Sequence, residues 1–116
     1  MEKGNFFDNE MKSTMLKVRI LRRMGKSEVN SYALLKEFTK SGKFSSFFGT
    51  SENMKNEVYN TIKSLEKSKY IKSSQKIENG RLKNYYTLTG KGKLVLKSTK
   101  HLFQKHLKNL ALLFNE

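Results

Sequence analysis

The side chains in this sequence that could act on another molecule are chiefly lysines and asparagines. Lys and Arg together number 24 and Asp and Glu number 10, while the 116-residue chain has two His and no Cys. Asn amides offer a donor and an acceptor side by side, and Lys ammonium groups attract phosphates and other anions. This balance favours surface binding of a negatively charged partner over catalysis.

Groupings that would support catalysis or metal binding are not apparent. His101 and His106 lie five residues apart in an expected helix, so about 140° separates them around its axis and they cannot ligate one ion together. No two acids share an apolar setting that would prepare a carboxylate pair for acid–base chemistry. The GKGK segment at residues 90–93 lacks the spacing of a phosphate loop or of a dinucleotide fingerprint. We therefore expect no enzyme, no cofactor and no metal site.

The positive charge is concentrated in the middle of the chain. Ten cations against five acids give +5 over residues 1–50, twelve against four give +8 over residues 51–100, and two against one give +1 over residues 101–116. A polyanion bound at such a region releases its counterions, which makes binding favourable. The alternative explanation is a solvated lysine surface without a partner.

The sequence also predicts where the protein works. No apolar stretch approaches the ~20 residues that span a bilayer, and the polar start MEKGNFFDNE lacks the apolar core of a signal peptide. The absence of Cys fits a reducing compartment. We expect a cytoplasmic protein that does not associate with a membrane.

Residues 10–40 predict two helices joined by a tight connection. The first, over residues 10–25, ends at Gly25, and the second opens around Ser27 with Asn30 and Ser31. Met11, Met15, Val18 and Leu21 have the spacing of a helix in the first run. In the second run the residues that can share a broad inner face are Val29, Tyr32, Ala33, Leu35 and Phe38. The aromatic segment KFSSFFGT follows at residues 43–50. Its three Phe side chains either pack beneath the domain, which we favour, or form a binding surface.

A third helix is predicted over about residues 51–68 and a β-hairpin over about residues 70–88. In the helix, Met54, Val58, Ile62 and Leu65 are spaced for core packing and the remaining faces are polar. In the hairpin, two alternating strands meet at Asn79-Gly80, a pair suited to a turn with positive backbone angles. A polar helix followed by a basic hairpin is the layout of a winged helix-turn-helix, which binds nucleic acid.

This layout assigns roles to the polar residues. Asn can pair bidentately with adenine and Lys can reach guanine in the major groove. The predicted base-contacting residues of the third helix are Asn53, Lys55, Asn56, Asn60 and Lys63. The predicted phosphate-contacting residues of the wing and the start of the next helix are Lys76, Asn79, Arg81, Lys83, Lys91 and Lys93. Tyr59, Tyr85 and Tyr86 could stack on a base or a ligand, although buried packing is favoured.

A long last helix is predicted over residues 90–115, with Thr89 as its N-cap. At 1.5 Å per residue it would be about 39 Å long, and the rest of the chain cannot cover its whole apolar stripe. The predicted dimer interface on this stripe comprises Leu96, Phe103, Leu107, Leu110 and Phe114. We therefore predict residues 1–89 as a DNA-binding domain and residues 90–116 as a dimerisation helix. The alternative is that this helix folds back on its own core.

Two blocks of the sequence resemble the PadR family of winged-helix transcription regulators. The first is VYNTIKSLEKSKYI at residues 58–71, similar to the recognition-helix pattern of that family. The second is GRLKNYYTLTGKGK at residues 80–93, similar to its wing pattern of Gly-Arg, paired aromatics, Leu-Thr and a glycine that opens the last helix. Ser31-Tyr32 resembles the usual Gly-Tyr of the second helix. The MarR-type winged helices are the broader match.

The chain departs from the family pattern at four positions. Ser31 and Lys69 stand where Gly is common, and Asn60 and Leu82 stand where Pro is common. None of these changes removes a DNA-contacting charge. Lys69 must end the third helix without the conformational freedom of glycine.

The resemblance implies a mostly α-helical protein with a small β-hairpin that regulates transcription as a homodimer, typically as a repressor. Each subunit would place its third helix in the major groove of double-stranded DNA and its wing on the backbone or the minor groove. Many family members respond to a small-molecule effector, and whether this chain does so is left open by its residues.

Two other classes of function remain as alternatives. The first is a protein-interaction or architectural module that keeps the winged helix without sequence-specific DNA binding. The second is binding of RNA or single-stranded DNA, which calls for exposed aromatic side chains.

Overall fold

The computed structural model describes residues 6–40 and 51–116, with only the backbone described at residues 6–8 and 51–53. These residues form four helices and a three-stranded antiparallel sheet of order β1-β3-β2. The elements are α1 (Phe6–Lys26), β1 (Val29–Asn30), α2 (Ser31–Lys40), α3 (Ser51–Lys67), β2 (Ile71–Glu78), β3 (Arg81–Leu88) and α4 (Gly90–Phe114). The predicted architecture, mostly helical with a small hairpin and a long last helix, is confirmed.

The core lies between α1, α2 and α3, and the base of the hairpin closes it. Its buried side chains are Leu16, Ile20, Leu21, Met24, Val29, Leu34, Phe38, Met54, Val58, Ile62, Leu65 and Ile71. The four apolar residues predicted to face inward from α3 are all among them. Removal of these apolar surfaces from water supplies the main driving force for folding.

The buried face of α1 is not the apolar stripe whose spacing indicated the helix. Leu16, Ile20 and Met24 recur every four residues and are buried with Leu21, whereas Met11 and Met15 are exposed. The helix thus carries two apolar stripes, and periodicity alone does not show which one meets the core. Gly25 does not stop the helix, which continues to Lys26. An added Cβ at Gly25 would lie 3.2 Å from Leu88, so glycine here allows close packing of α1 on β3.

The start of α2 also differs from the prediction. Val29 belongs to β1, which pairs with Tyr86 of β3, and the Asn30 side chain caps α2 by accepting a hydrogen bond from the Ala33 amide at 2.7 Å. With the helix starting at Ser31, Leu34 and Phe38 point inward and Tyr32 is 65% exposed. The expectation that Tyr32 is buried was wrong. The predicted packing of Phe44, Phe47 and Phe48 lies outside the described residues.

Lys69 ends α3 in the left-handed conformation that glycine usually adopts there. Its φ is 66°, its amide donates to Glu66 O at 2.9 Å, and the Tyr70 amide donates to Leu65 O at 3.0 Å. This pair of bonds is the Schellman motif, which satisfies the last carbonyls of a helix. The chain then reverses directly into β2, so the hairpin is anchored at the C-terminal end of α3.

The hairpin and the last helix begin as their local sequence predicts. Asn79 and Gly80 have φ values of 53° and 75°, which is the backbone of a type I′ turn. Thr89 caps α4 by accepting a hydrogen bond from the Gly92 amide at 3.0 Å, and its own hydroxyl donates to Lys69 O at 2.7 Å. A single threonine therefore joins the start of α4 to the end of α3.

Candidate nucleic-acid interface

The exposed face of α3 carries a polar stripe diametrically opposite the core. Taking 100° per residue, Asn56, Asn60, Lys63 and Lys67 fall within about 60° of one another around the axis, and the four buried side chains lie on the other side. All four stripe residues are exposed. Two amides and two ammonium groups are thus aligned along one side of a helix, where they can reach the edges of bases.

The other residues predicted on this helix occupy its flanks. Lys55 is exposed about 100° away from Asn56, and Asn53 lies in the first turn, where only the backbone is described. Tyr59 is half-buried and packs against the core, as favoured from the sequence. Lys67 was not among the predicted contacts, although its spacing of four from Lys63 could have identified it.

The cations of the wing lie on one face of the hairpin, and two of them pair with acidic side chains there. Lys76 donates to Glu28 through Nζ, and its Nζ lies 5.2 Å from the ring centroid of Tyr85. Lys83 Nζ is 3.7 Å from Glu78 Oε2, and the Tyr85 hydroxyl donates to the other oxygen of the same carboxylate. Hence Lys76 and Lys83 each have an internal counterion in the absence of a ligand.

The same contacts change the acidity of two groups. The hydrogen bond to Glu28 raises the pKa of Lys76 above its ordinary value of 10.5, so the ammonium stays charged. The hydrogen bond to Glu78 raises the pKa of Tyr85 above its ordinary value of 10.0, so the phenol stays neutral. Both groups therefore keep these charge states through the physiological range. Burial raises the pKa of Tyr86, which packs on the core.

Arg81 and Lys83 share a cleft with the start of α2. The cleft has a volume of about 460 Å³ and is lined also by Ser31, the exposed Tyr32 and Asn84. The free amides at a helix start carry a partial positive charge that attracts anions. Two cations beside a helix start make this cleft suited to a phosphate group. Asn79 is exposed at the adjoining turn.

The two lysines at the start of α4 lie in different surroundings. Lys91 Nζ donates to Ser68 O at 3.1 Å and lies 5.1 Å from the ring centroid of Tyr70, so it supports the C-terminal end of α3. Lys93 lines a groove of about 900 Å³ between α1 and α4. The structure thus brings the wing residues together and places Lys93 apart from them.

The apolar stripe of α4 that is predicted for dimerisation packs on the core at its start and is exposed to solvent along its second half. Leu96 is half-buried against the core, whereas every residue from His101 to Glu116 is exposed. At helical spacing, the five predicted interface residues fall within about 60° of one another around α4. The fold-back alternative does not hold for the described residues, because none of them buries the second half of this helix.

Two features of these surfaces escaped the sequence analysis. Glu28 partners Lys76 from 48 residues away, and no local pattern could reveal that pair. Met11 and Met15 indicated the first helix by their spacing, but the sequence did not reveal that both are exposed. They are in line with Val18, which borders the groove together with Leu96 and Phe103.

The described parts of the chain contain neither a metal-binding cluster nor a membrane-spanning helix. There, no group of three or more His, Cys, Asp or Glu side chains could hold a metal ion. None of the helices in these parts is long and apolar enough to cross a bilayer.

Comparison with known proteins places the chain in a family. Residues 20–98 match the model of the transcriptional regulator PadR-like family, and the comparison with curated proteins finds no match. Among solved structures, the chain is similar to a PadR family transcriptional regulator from Eggerthella lenta at 18% identity and a TM-score of 0.71, covering 90% of this chain and 86% of that one. It is similar to a PadR-like transcriptional regulator from Bacillus cereus at 23% identity and a TM-score of 0.68, covering 92% and 98%.

A third structure is that of Bacillus subtilis PadR in complex with operator DNA. The identity is 26% and the TM-score 0.60, and the match covers 72% of this chain and 45% of that one. The structures below 25% identity establish the winged-helix fold, and the family model extends over more than half of the sequence. The chain therefore belongs to the PadR-like family of transcriptional regulators.

Proposed function

We propose that this protein is a homodimeric regulator that binds a specific double-stranded DNA sequence and represses transcription. The observation that carries the proposal is the Asn56–Lys67 stripe of α3, exposed opposite the core and flanked by a basic wing. The operator complex of the relative from Bacillus subtilis supports DNA as the partner. A regulator of this kind acts where the DNA lies, in keeping with the expected cytoplasmic location.

In this proposal α3 enters the major groove and its stripe reads base edges. Asn56 and Asn60 would pair with adenines, and Lys63 would donate to guanine. Asn53, Lys55 and Lys67 would contact bases or phosphates at either end of the helix. Arg81 and Lys83, beside the start of α2, would hold one phosphate, and Asn79 would approach the backbone from the turn. Lys76 is paired with Glu28 and Lys91 with the Ser68 carbonyl. These two lysines would therefore contribute mainly to the positive electrostatic potential that attracts DNA.

The proposed dimer joins two copies through the free half of α4. Residues 1–89 then form the DNA-binding domain and residues 90–116 the dimerisation helix. Phe103, Leu107, Leu110 and Phe114 are exposed together on one side of α4. Met11 and Met15 are exposed in line with Val18, which borders the groove, and they would join the same contact. Burying both stripes against a second copy removes them from water. Two recognition helices would then meet half-sites about 34 Å apart on the duplex.

The test is a salt titration of binding to a duplex from the region upstream of the protein's own gene, beside a scrambled duplex of equal length. We expect tighter binding to the native duplex and a logarithmic salt slope that corresponds to about six or more phosphate contacts. Equal binding to both duplexes would favour an architectural role. No binding at low salt would favour a protein-interaction module.

Substitution of Arg81 tests the phosphate cleft separately. Arg81→Ala should weaken binding to native and scrambled duplexes alike and flatten the salt slope by about one. Lys93→Ala is the matched control, since Lys93 lies in the groove between α1 and α4. An unchanged slope for Arg81→Ala would contradict the assignment.

A further inference from the structure

One of the acids on the cationic face of the wing comes from outside the hairpin. Lys76 and Lys83 are cross-strand partners, so their side chains leave the same face of the hairpin side by side. Like charges that oppose each other in this way destabilise a pair of strands. Lys83 pairs with Glu78 of the wing itself, whereas Lys76 pairs with Glu28, which lies between α1 and β1. The two acids therefore compensate two facing cations in the free protein.

The sheet, rather than the hairpin, fixes the position of Glu28. Val29, the next residue, is buried and pairs with Tyr86 of β3. Since the strand order is β1-β3-β2, the Glu28 carboxylate meets the lysine of β2 across the middle strand. The Lys76 ammonium lies 5.2 Å from the ring centroid of Tyr85, which belongs to that middle strand. A negative charge is thus held on the cationic face by a part of the chain that is not in the wing.

The pairing leaves Lys76 charged but compensated. The hydrogen bond to Glu28 raises the pKa of Lys76, so the side chain remains an ammonium. The side chains of Lys76 and Glu28 are 46% and 37% exposed, which leaves the pair open to an approaching polyanion. An ammonium donates to a carboxylate oxygen and to a phosphate oxygen in the same way. The carboxylate therefore takes the place at Lys76 that a backbone phosphate could occupy.

Stability alone gives little reason for this acid. An ion pair with such exposure contributes little to the free energy of unfolding. The chain has 10 acids against 24 cations, and Glu28 is one of the few that lie on a surface proposed to meet DNA, where a negative charge opposes binding. Arg81 of the same hairpin forms no ion pair with any described residue. The wing thus leaves one cation open to a phosphate and closes another.

We propose that Glu28 is an internal competitor of DNA that limits the affinity of the wing. In the wild-type complex Lys76 stays paired with Glu28 and adds only to the electrostatic potential. Without Glu28, Lys76 makes a phosphate contact of its own. The acid lowers affinity for native and scrambled sequences alike, because phosphate contacts carry no sequence information. Non-specific binding then stays weak and the regulator leaves its site more readily. This inference rests on the proposed function.

The first experiment is a salt titration of full-length Glu28→Ala beside the wild type, on a duplex that the wild type has selected from a random library. We expect the variant to bind more tightly, with a logarithmic salt slope steeper by about 0.9, the value for one added phosphate contact. Since salt rises fourfold between about 50 and 200 mM, the gain in affinity should fall by about 3.5-fold over that range. Unchanged affinity, or a gain without a steeper slope, would overturn the inference.

Two matched controls show whether the effect passes through Lys76. In a Lys76→Ala protein, Glu28→Ala removes the same acid where no lysine can use the freed position, so a double-mutant cycle should show that the gain is lost. Glu37→Ala changes the net charge equally and breaks another exposed ion pair, in which Arg23 Nε lies 2.8 Å from Glu37 Oε1. It should leave the salt slope unchanged. An equal gain in either control would overturn the inference.

Urea unfolding distinguishes competition from an ordinary structural contact. Without Glu28 the facing Lys76 and Lys83 repel each other, so the unfolding midpoint of Glu28→Ala should fall while its affinity for DNA rises. A contact that only supports the wing would lower both. Glu28→Gln keeps the shape of the side chain without its charge, and it should show smaller changes of the same sign. Weaker DNA binding by both variants would refute the competitor.

The outcomes also separate this inference from the proposed function. Specific, salt-dependent binding by the wild type that neither Glu28 variant tightens would refute the internal competitor and leave the regulator intact. Failure of the wild type to select any duplex would refute both. Circular dichroism should show an unchanged fold in each variant, because the substituted side chains lie at the surface.

Discussion

The strongest prediction concerns Leu107 in the free half of α4. Leu107 is 65% exposed within one chain and lies on the stripe proposed to meet a second copy. Complete burial of a Leu side chain is worth about 1.5–3 kcal/mol, so burial of the exposed two-thirds in both copies contributes about 2–4 kcal/mol to the dimer. Leu107→Glu removes this contribution and adds the cost of desolvating two carboxylates. The dimer dissociation constant should rise by about 30-fold to 700-fold or more.

Sedimentation equilibrium over a range of protein concentrations measures that constant directly. Leu112→Glu is the matched control, because Leu112 is 62% exposed on the same helix and about 140° away from Leu107 around the axis. The control should remain as dimeric as the wild type, and both variants should keep their helical content. An unchanged constant for Leu107→Glu, or an equal loss in the two variants, would refute the assignment of this stripe.

Two further predictions concern the junction between α3, the hairpin and α4. Lys69→Gly should raise the free energy of unfolding in urea by about 1 kcal/mol, because a side chain at φ 66° is strained where glycine is not. A variant no more stable than the wild type would show that Lys69 is not strained in the folded protein. Gly92→Ala should destabilise the protein by about 3 kcal/mol, since an added Cβ would stand 2.1 Å from Tyr70 O and 2.6 Å from Leu88 Cδ1. Gly90→Ala is its control, as a Cβ there meets no described atom within 4 Å, and equal unfolding midpoints for the two variants would contradict the packing argument.

Features with a local cause were predictable. The turn at Asn79-Gly80, the cap at Thr89 and the buried stripe of α3 each depend on residues within a few positions of one another. Lys69 was expected to end α3 without glycine, and it does so in the left-handed conformation. The family resemblance rested on these same segments, and the family model confirms it.

Features that depend on distant neighbours were not predictable. The core face of α1 was not predictable because both of its stripes have helical spacing, and the choice between them depends on where α2 and α3 lie. Tyr32 was misplaced because the start of α2 depends on the pairing of β1 with β3. The partners of Lys76 depended on a strand order that brings Glu28 beside the wing.

Sequence and tertiary structure therefore determined different parts of this protein. Composition and periodicity alone determined a basic winged helix with polar residues on α3 and a long last helix, because charge and hydrophobic spacing are properties of the chain itself. Only the tertiary structure decided which cations have internal acids, which face of α1 meets the core, and where α4 leaves the core. Each of these depends on atoms that are far apart in sequence, and only packing brings such atoms together.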